Sequence, residues 1–232
     1  MKKLSLIIFI VAIFSLIVGC SDESSAEAGD ANAPVTTPAQ ETPDVVDEPI
    51  IQEDIVSTPD DFVIENGRLS EFTGTANIVI IPDDVRIIAA GVFFEMGFIT
   101  EIVLPPRLEV IGGDAFVGVY RVRELILPDT LVEIGFGSFA GMSSLEEIVI
   151  PDRVDILRTN VFQNCYSLRR VVIGSGVYLI QDAAFINTRS LVDINIPDNL
   201  EYIRDRAFQG AIALPDYIRE QILAINPDAV FR

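Results

Sequence analysis

Residues 145–151 read Leu145-Glu146-Glu147-Ile148-Val149-Ile150-Pro151, and the same arrangement recurs every 23 residues on either side. Stepping by 23 through Pro151 meets Pro82, Pro105, Pro128, Gly174 and Pro197. Three residues before these positions stand Val79, Ile102, Leu125, Ile148, Val171 and Ile194; one before stand Ile81, Leu104, Leu127, Ile150, Ile173 and Ile196. Six after come Ile88, Ile111, Ile134, Leu157, Ile180 and Ile203. Eleven after come Phe93, Phe116, Phe139, Phe162, Phe185 and Phe208. Six copies with a fixed period and no insertion are the mark of a solenoid.

The chemistry of one copy gives its path. The I-x-I stretch alternates with period two and reads as a short strand. Proline ends that strand, because it has no N–H for a ladder, and Pro-Asp presets a turn. The apolar residues three and six past the proline point inward on the next side. A small residue followed by Phe sends the ring into the core on the far side. One copy cannot bury its apolar face alone, so the copies must stack and the ends must be capped. Phe62-Val63-Ile64-Glu65-Asn66-Gly67-Arg68-Leu69 predicts a capping hairpin turned by Asn-Gly. Leu214 to Leu223 predicts a capping helix, with Pro215 near its start, Ile218, Ile222 and Ile225 along one face, and Asn226-Pro227 at its end.

The repeat, approximately L-x-x-I-x-I-P-x-x-V-x-x-I-x-x-x-A-F-x-x-C, resembles the BspA-like (Treponema pallidum-type) leucine-rich repeats of bacterial surface proteins, over residues 78–212. The resemblance implies an α/β leucine-rich-repeat solenoid, strand-rich, with a parallel sheet on one face and turns or short strands on the other. It also implies adhesion or another surface interaction, although the motif specifies fold far more than function. The chain departs from the commoner pattern in lacking a regular asparagine ladder. It carries the repeat's cysteine only at Cys165, with Met96, Val119, Met142, Thr188 and Ala211 in the other copies. That leaves no cysteine row for a metal.

The N-terminus reads as an address. Met1-Lys2-Lys3 and the apolar run from Leu4 to Val18 match a secretory signal peptide, and the run is short for a membrane span. Ile17-Val18-Gly19-Cys20 resembles the lipobox of bacterial lipoproteins. This implies acylation of Cys20, palmitate-type chains and cleavage before the cysteine. An uncleaved signal anchor with an incidental cysteine is the alternative; the change to Ser-Asp-Glu-Ser-Ser after Cys20 argues against it. Residues 21–61 hold 12 acidic residues, five prolines and no basic or aromatic residue, the composition of a disordered tether. The expected organisation is signal peptide 1–19, acylated Cys20 with a tether to 61, N-terminal cap 62–77, six repeats 78–212 and helical cap 213–232.

Charge narrows the function classes. Beyond residue 19 there is no lysine, and 14 arginines face 35 acidic residues, a net of −21. Such a chain repels nucleic acid and anionic bilayers, so membrane contact is expected through the lipid anchor only. There is no histidine, so acid–base chemistry would fall to carboxylates or tyrosine, and the carboxylate pairs Asp83-Asp84 and Glu146-Glu147 read as turn and surface residues. Cys165 has no histidine partner and lies on a core row, and no glycine-rich phosphate loop precedes a helix. No catalytic site, cofactor or metal is expected.

The strand face is the remaining candidate. Two residues before the proline, pointing outward, stand Ile80, Val103, Ile126, Val149, Val172 and Asn195. Four before stand Ile78, Glu101, Glu124, Glu147, Arg170 and Asp193. Stacked at about 4.8 Å, they predict an apolar stripe beside an acidic column broken at Arg170, a face suited to a basic protein ligand. β-branched residues and glutamates also simply suit a soluble sheet. The expectation is therefore a monomeric, non-enzymatic binding module, displayed on the cell envelope and possessing an adhesin or surface-interaction role. The alternative is an envelope spacer or assembly component; a carboxylate hydrolase is remote.

Overall fold

A computed structural model describes residues 54–232. The expected signal peptide, Cys20 and most of the expected tether lie outside the described residues. The repeats form six coils, at 78–100, 101–123, 124–146, 147–169, 170–192 and 193–212, each with three sides.

The first, or strand, side carries Ile78–Ile80, Glu101–Val103, Glu147–Val149, Arg170–Val172 and Asp193–Ile194. A turn follows in every coil, closed by an N–H to C=O bond from Val85 to Pro82, Leu108 to Pro105, Leu131 to Pro128, Val154 to Pro151, Val177 to Gly174 and Leu200 to Pro197, at 3.0–3.3 Å. Gly174 closes the same turn as the prolines. The second side carries two-residue strands from Ile87–Ile88 to Tyr202–Ile203, and these also pair in parallel.

The third, or turn, side has no strands, yet it holds the most continuous ladder. Gly91, Phe93 and Glu95 donate to Gly113, Ala115 and Val117 of the next coil, at 3.0, 2.9 and 2.7 Å. Equivalent bonds continue to the last pair, Phe185 to Ala207 and Asn187 to Gln209. The outer donors need a left-handed backbone. Gly91, Asp114, Gly137, Asn160 and Ala183 form one column with positive φ, and Glu95, Gly118, Gly141, Asn164, Asn187 and Gly210 form another. Glycine and asparagine adopt that region at little cost, which explains most of both columns.

Inside, the phenylalanine column becomes a stack. From Phe93 to Phe208, successive ring centroids lie 5.1–5.8 Å apart with planes within 3–14° of parallel. Near-parallel rings at that spacing must be offset, which is the favoured arrangement. Phe72 of the cap continues the stack at 5.4 Å with a 42° tilt.

Both caps form where expected. Phe62–Glu65 and Arg68–Phe72 make the hairpin, turned by Asn66 and Gly67 with φ of 51° and 74°. Its return strand pairs with Ile87–Ile88, so the hairpin covers the second side. The strand side is covered by an earlier segment. Val56 bridges to Ile78, the Ile55 N–H bonds to Asn77 Oδ1 at 2.7 Å, and Asn77 Nδ2 donates to Asp54. Residues 54–61, placed in the tether by their composition, therefore belong to the folded body: their backbone satisfies the edge of coil 1. At the other end, the helix Asp216–Ile225 buries Ile218 and Ile222. Asn226 Nδ2 donates to Ile203 O at 2.8 Å, supplying the bond a seventh coil would make.

Each ladder of strands has one fault. The strand side divides into Ile78–Ile80 with Glu101–Val103, and Glu147–Val149 with the two strands after it. Coil 3 joins the second group only through an isolated bridge from Glu124 to Glu147. The second side divides one coil later, between Glu133–Ile134 and Ile156–Leu157. Ala89, Gly112 and Gly135 line the corner before that fault, where a Cβ on Gly135 would lie 2.3 Å from Gly113 N. Arg158 occupies the same column in coil 4. Its guanidinium crosses the fault to Glu133 at 3.1 Å.

Candidate functional site

The strand side presents the outward residues expected of it. Ile80, Val103, Ile126 and Val149 are 48%, 42%, 77% and 60% exposed, and Val172 is half-buried. Asn195 ends the stripe by turning its amide back onto coil 5. Alternation places these side chains outward because Val79, Ile102, Leu125, Ile148, Val171 and Ile194 occupy the core-facing positions between charged and apolar neighbours.

The acidic column is not one column. Glu101 pairs in register with Ile78, whereas Glu124 pairs with Glu147 beyond the fault, so the structure does not continue the expected Glu101-Glu124-Glu147 ladder. The regular bonds of this side run from Ile81 N–H to Val103 O and from Ile150 N–H to Val172 O. Coil 3 lacks a strand of its own here, and the period-two pattern alone did not foretell that. Arg170 lies in register with Glu147 on one side and Asp193 on the other, and its guanidinium engages Asp193 at 3.2 Å.

Two further residues join the face. Arg123 and Glu146, five residues before the proline position, approach to 3.8 Å. With Glu124–Leu127 and Glu147–Val149 they line a shallow groove of about 630 Å³ across coils 3 and 4. Their column reads Asn77, Thr100, Arg123, Glu146, Arg169 and Val192. A scan of positions just ahead of the strand would have found them.

Cys165 is fully buried, its thiol directed at Phe139 O at 3.2 Å, and burial pushes its pKa up to about 12, only partly offset by the Met142 backbone. A thiol held neutral is no nucleophile. Asp83 and Asp84 are exposed turn residues. Among the described residues no group of three or more His, Cys, Asp or Glu side chains could hold a metal, and no helix is long and apolar enough to cross a membrane.

A family model described as the BspA type leucine rich repeat region matches residues 86–215 in six copies. Among solved structures, the chain is similar to a leucine rich repeat protein of T. pallidum, at 21% identity over 76% of this chain and 99% of that one, with a TM-score of 0.61. It is also similar to a leucine rich cell surface protein of Faecalibacterium prausnitzii, at 22% identity over 66% of this chain and 51% of that one, TM-score 0.60. A leucine-rich repeat protein of Bacteroides ovatus matches at 25% identity over 61% of this chain and 36% of that one, TM-score 0.55. This chain spans about half or less of the latter two. No protein of curated function matches it.

Proposed function

Because the chain belongs to the BspA type leucine-rich repeat family, we propose that it is a non-enzymatic protein-binding module of the bacterial envelope, engaging its ligand through the strand side. The observation that carries this reading is the row Ile80, Val103, Ile126 and Val149, large apolar side chains left in solvent on consecutive coils. A stripe of exposed apolar groups flanked by charges suits a protein interface. Glu101, Glu124, Glu147 and Arg170 flank it, and Val172 extends it. The excess of carboxylates suits a basic ligand.

Residues 1–20 support export and a lipid anchor on Cys20, with the following acidic segment holding the module away from the bilayer. Two or more acyl chains suffice for stable membrane attachment. The related F. prausnitzii protein is described as a cell surface protein, which agrees with display outside the cell. The ligand-binding role would then be that of an adhesin or surface-interaction protein.

Protease treatment of intact cells tests the display. Cleavage within residues 21–53, releasing the repeats, is expected. A binding role is tested by replacing the outward residues while keeping the core columns. Loss of function is expected; a chain that still works would be an envelope spacer.

A further inference from the structure

The strand side is not uniform, and its irregular features coincide on one coil. Coil 3 has no strand on this side and touches the ladder only through the Glu124–Glu147 bridge. Ile126, in the same stretch, is the most exposed large apolar side chain of the described residues, at 77%. The groove lined by Arg123–Leu127 and Glu146–Val149 lies there too.

The charges at this point are unbalanced. Glu124 and Glu147 are register neighbours, and like charges directly stacked repel. Of the arginines bordering them, Arg170 is held by Asp193 at 3.2 Å, and Arg123 makes a long, solvent-exposed contact of 3.8 Å with Glu146. Neither Glu124 nor Glu147 has an ion-pair partner among the described residues. Two carboxylates do not make a metal centre, and among the described residues no group of three or more His, Cys, Asp or Glu side chains is placed to hold one. What complements a carboxylate pair bordering Ile126 and Val149 is a cation on an apolar stem, beside a second apolar group. A lysine or arginine side chain with an adjacent aliphatic residue has that form.

We propose that the groove across coils 3 and 4, beside the fault, is the docking slot of the strand side, and that it takes an extended polypeptide segment carrying lysine or arginine next to an aliphatic residue. This rests on the reading of the strand side as the binding face and narrows it to Ile126, Val149, Glu124 and Glu147. Ile80 and Val103, across the fault, lie outside the slot. Ionic attraction fixes orientation and speeds encounter, and burial of Ile126 and Val149 slows release.

The test uses the full chain and a fluorescent ten-residue peptide of alternating lysine and valine, read by anisotropy. Binding that weakens as salt is raised is expected. Glu124→Gln with Glu147→Gln should weaken it about tenfold, and Ile126→Ser by a similar factor. Asp83→Asn with Asp84→Asn removes the same charge from exposed turn residues and should leave affinity within about twofold. All these positions are exposed, so circular dichroism should show unchanged folding. Equal weakening by both charge pairs would mean attraction to the acidic chain as a whole and would overturn the slot. No binding to the peptide would overturn its stated chemistry. If Ile80→Ser and Val103→Ser abolish binding while Ile126→Ser does not, the slot is wrong but the strand-side reading stands. If none of the three apolar changes weakens binding, the slot falls; if the glutamate changes do not weaken it either, the strand-side reading falls with it.

Discussion

The side chain of Asn195 does for Ile173 what a backbone does elsewhere on the strand side. Its Oδ1 accepts the Ile173 N–H at 2.6 Å, and its Nδ2 donates to Ile173 O at 2.9 Å. In coils 1 and 4 the corresponding N–H groups bond to the carbonyls of Val103 and Val172. Asn195 stands in the apolar stripe's column, so a valine there would fit the repeat better by pattern alone. Asn195→Val is expected to cost about 1–3 kcal/mol, because it leaves the Ile173 groups without these partners. Urea unfolding of the two chains measures it, and a neutral result would mean that backbone or water replaces the amide.

The ring stack makes a graded prediction. Phe139 lies between Phe116 and Phe162, at 5.8 and 5.4 Å, whereas Phe208 has one ring neighbour at 5.1 Å. Phe139→Ala should destabilise by about 3–5 kcal/mol, and Phe208→Ala by less, because its coil lies against the cap and can relax. Equal losses in thermal unfolding would show that the stack contributes nothing beyond each ring's burial.

Backbone conformation predicts changes of both signs. Ala183 carries φ of 57°, in a column otherwise held by Gly91, Asp114, Gly137 and Asn160. Ala183→Gly should stabilise by up to about 1 kcal/mol, the relief of the left-handed cost exceeding the added chain entropy. Gly135→Ala should do the opposite, by about 1–3 kcal/mol, since its Cβ would lie 2.3 Å from Gly113 N. Denaturation midpoints check both.

Cys165 should ignore thiol reagents. With the thiol buried and its pKa near 12, the thiolate is scarcely populated at pH 8. Iodoacetamide is expected to label it only after denaturant is added. Labelling of the folded protein at a rate comparable to a free thiol would mean that coil 4 opens readily.

Acid should release one contact between coils 4 and 5. The Ser175 N–H and hydroxyl, at 2.7 and 3.0 Å, hold the Asp152 carboxyl below its ordinary 3.8, the backbone bond being the larger cause. A carboxyl with a depressed folded pKa contributes stability above its unfolded pKa and loses it as pH falls through the folded one. The unfolding midpoint of Asp152→Asn should therefore lie below that of the native chain at neutral pH. The gap should close as pH falls below 3.8. A gap unchanged down to that acid range would remove the charge from the account.

The sequence by itself determined the coils, their register and both caps. A 23-residue period with prolines, isoleucines and phenylalanines in fixed columns leaves little freedom, because each column must face the core in every copy. The outward row from Ile80 to Val172 followed from alternation alone. The turn-side columns were also written there, as Gly, Asn and Asp at Gly91, Asp114, Gly137 and Asn160, but their meaning depended on knowing that the N–H must reach the next coil. Tertiary structure alone decided where the ladders fail, that Val56 closes coil 1, and that Arg170 turns to Asp193. The reason is physical. Inward positions are dictated by burial within one repeat, whereas a pairing fault depends on how closely two neighbouring backbones can approach. That depends on pairs of residues 23 apart, such as Gly135, which has no side chain, and Arg158 at one corner.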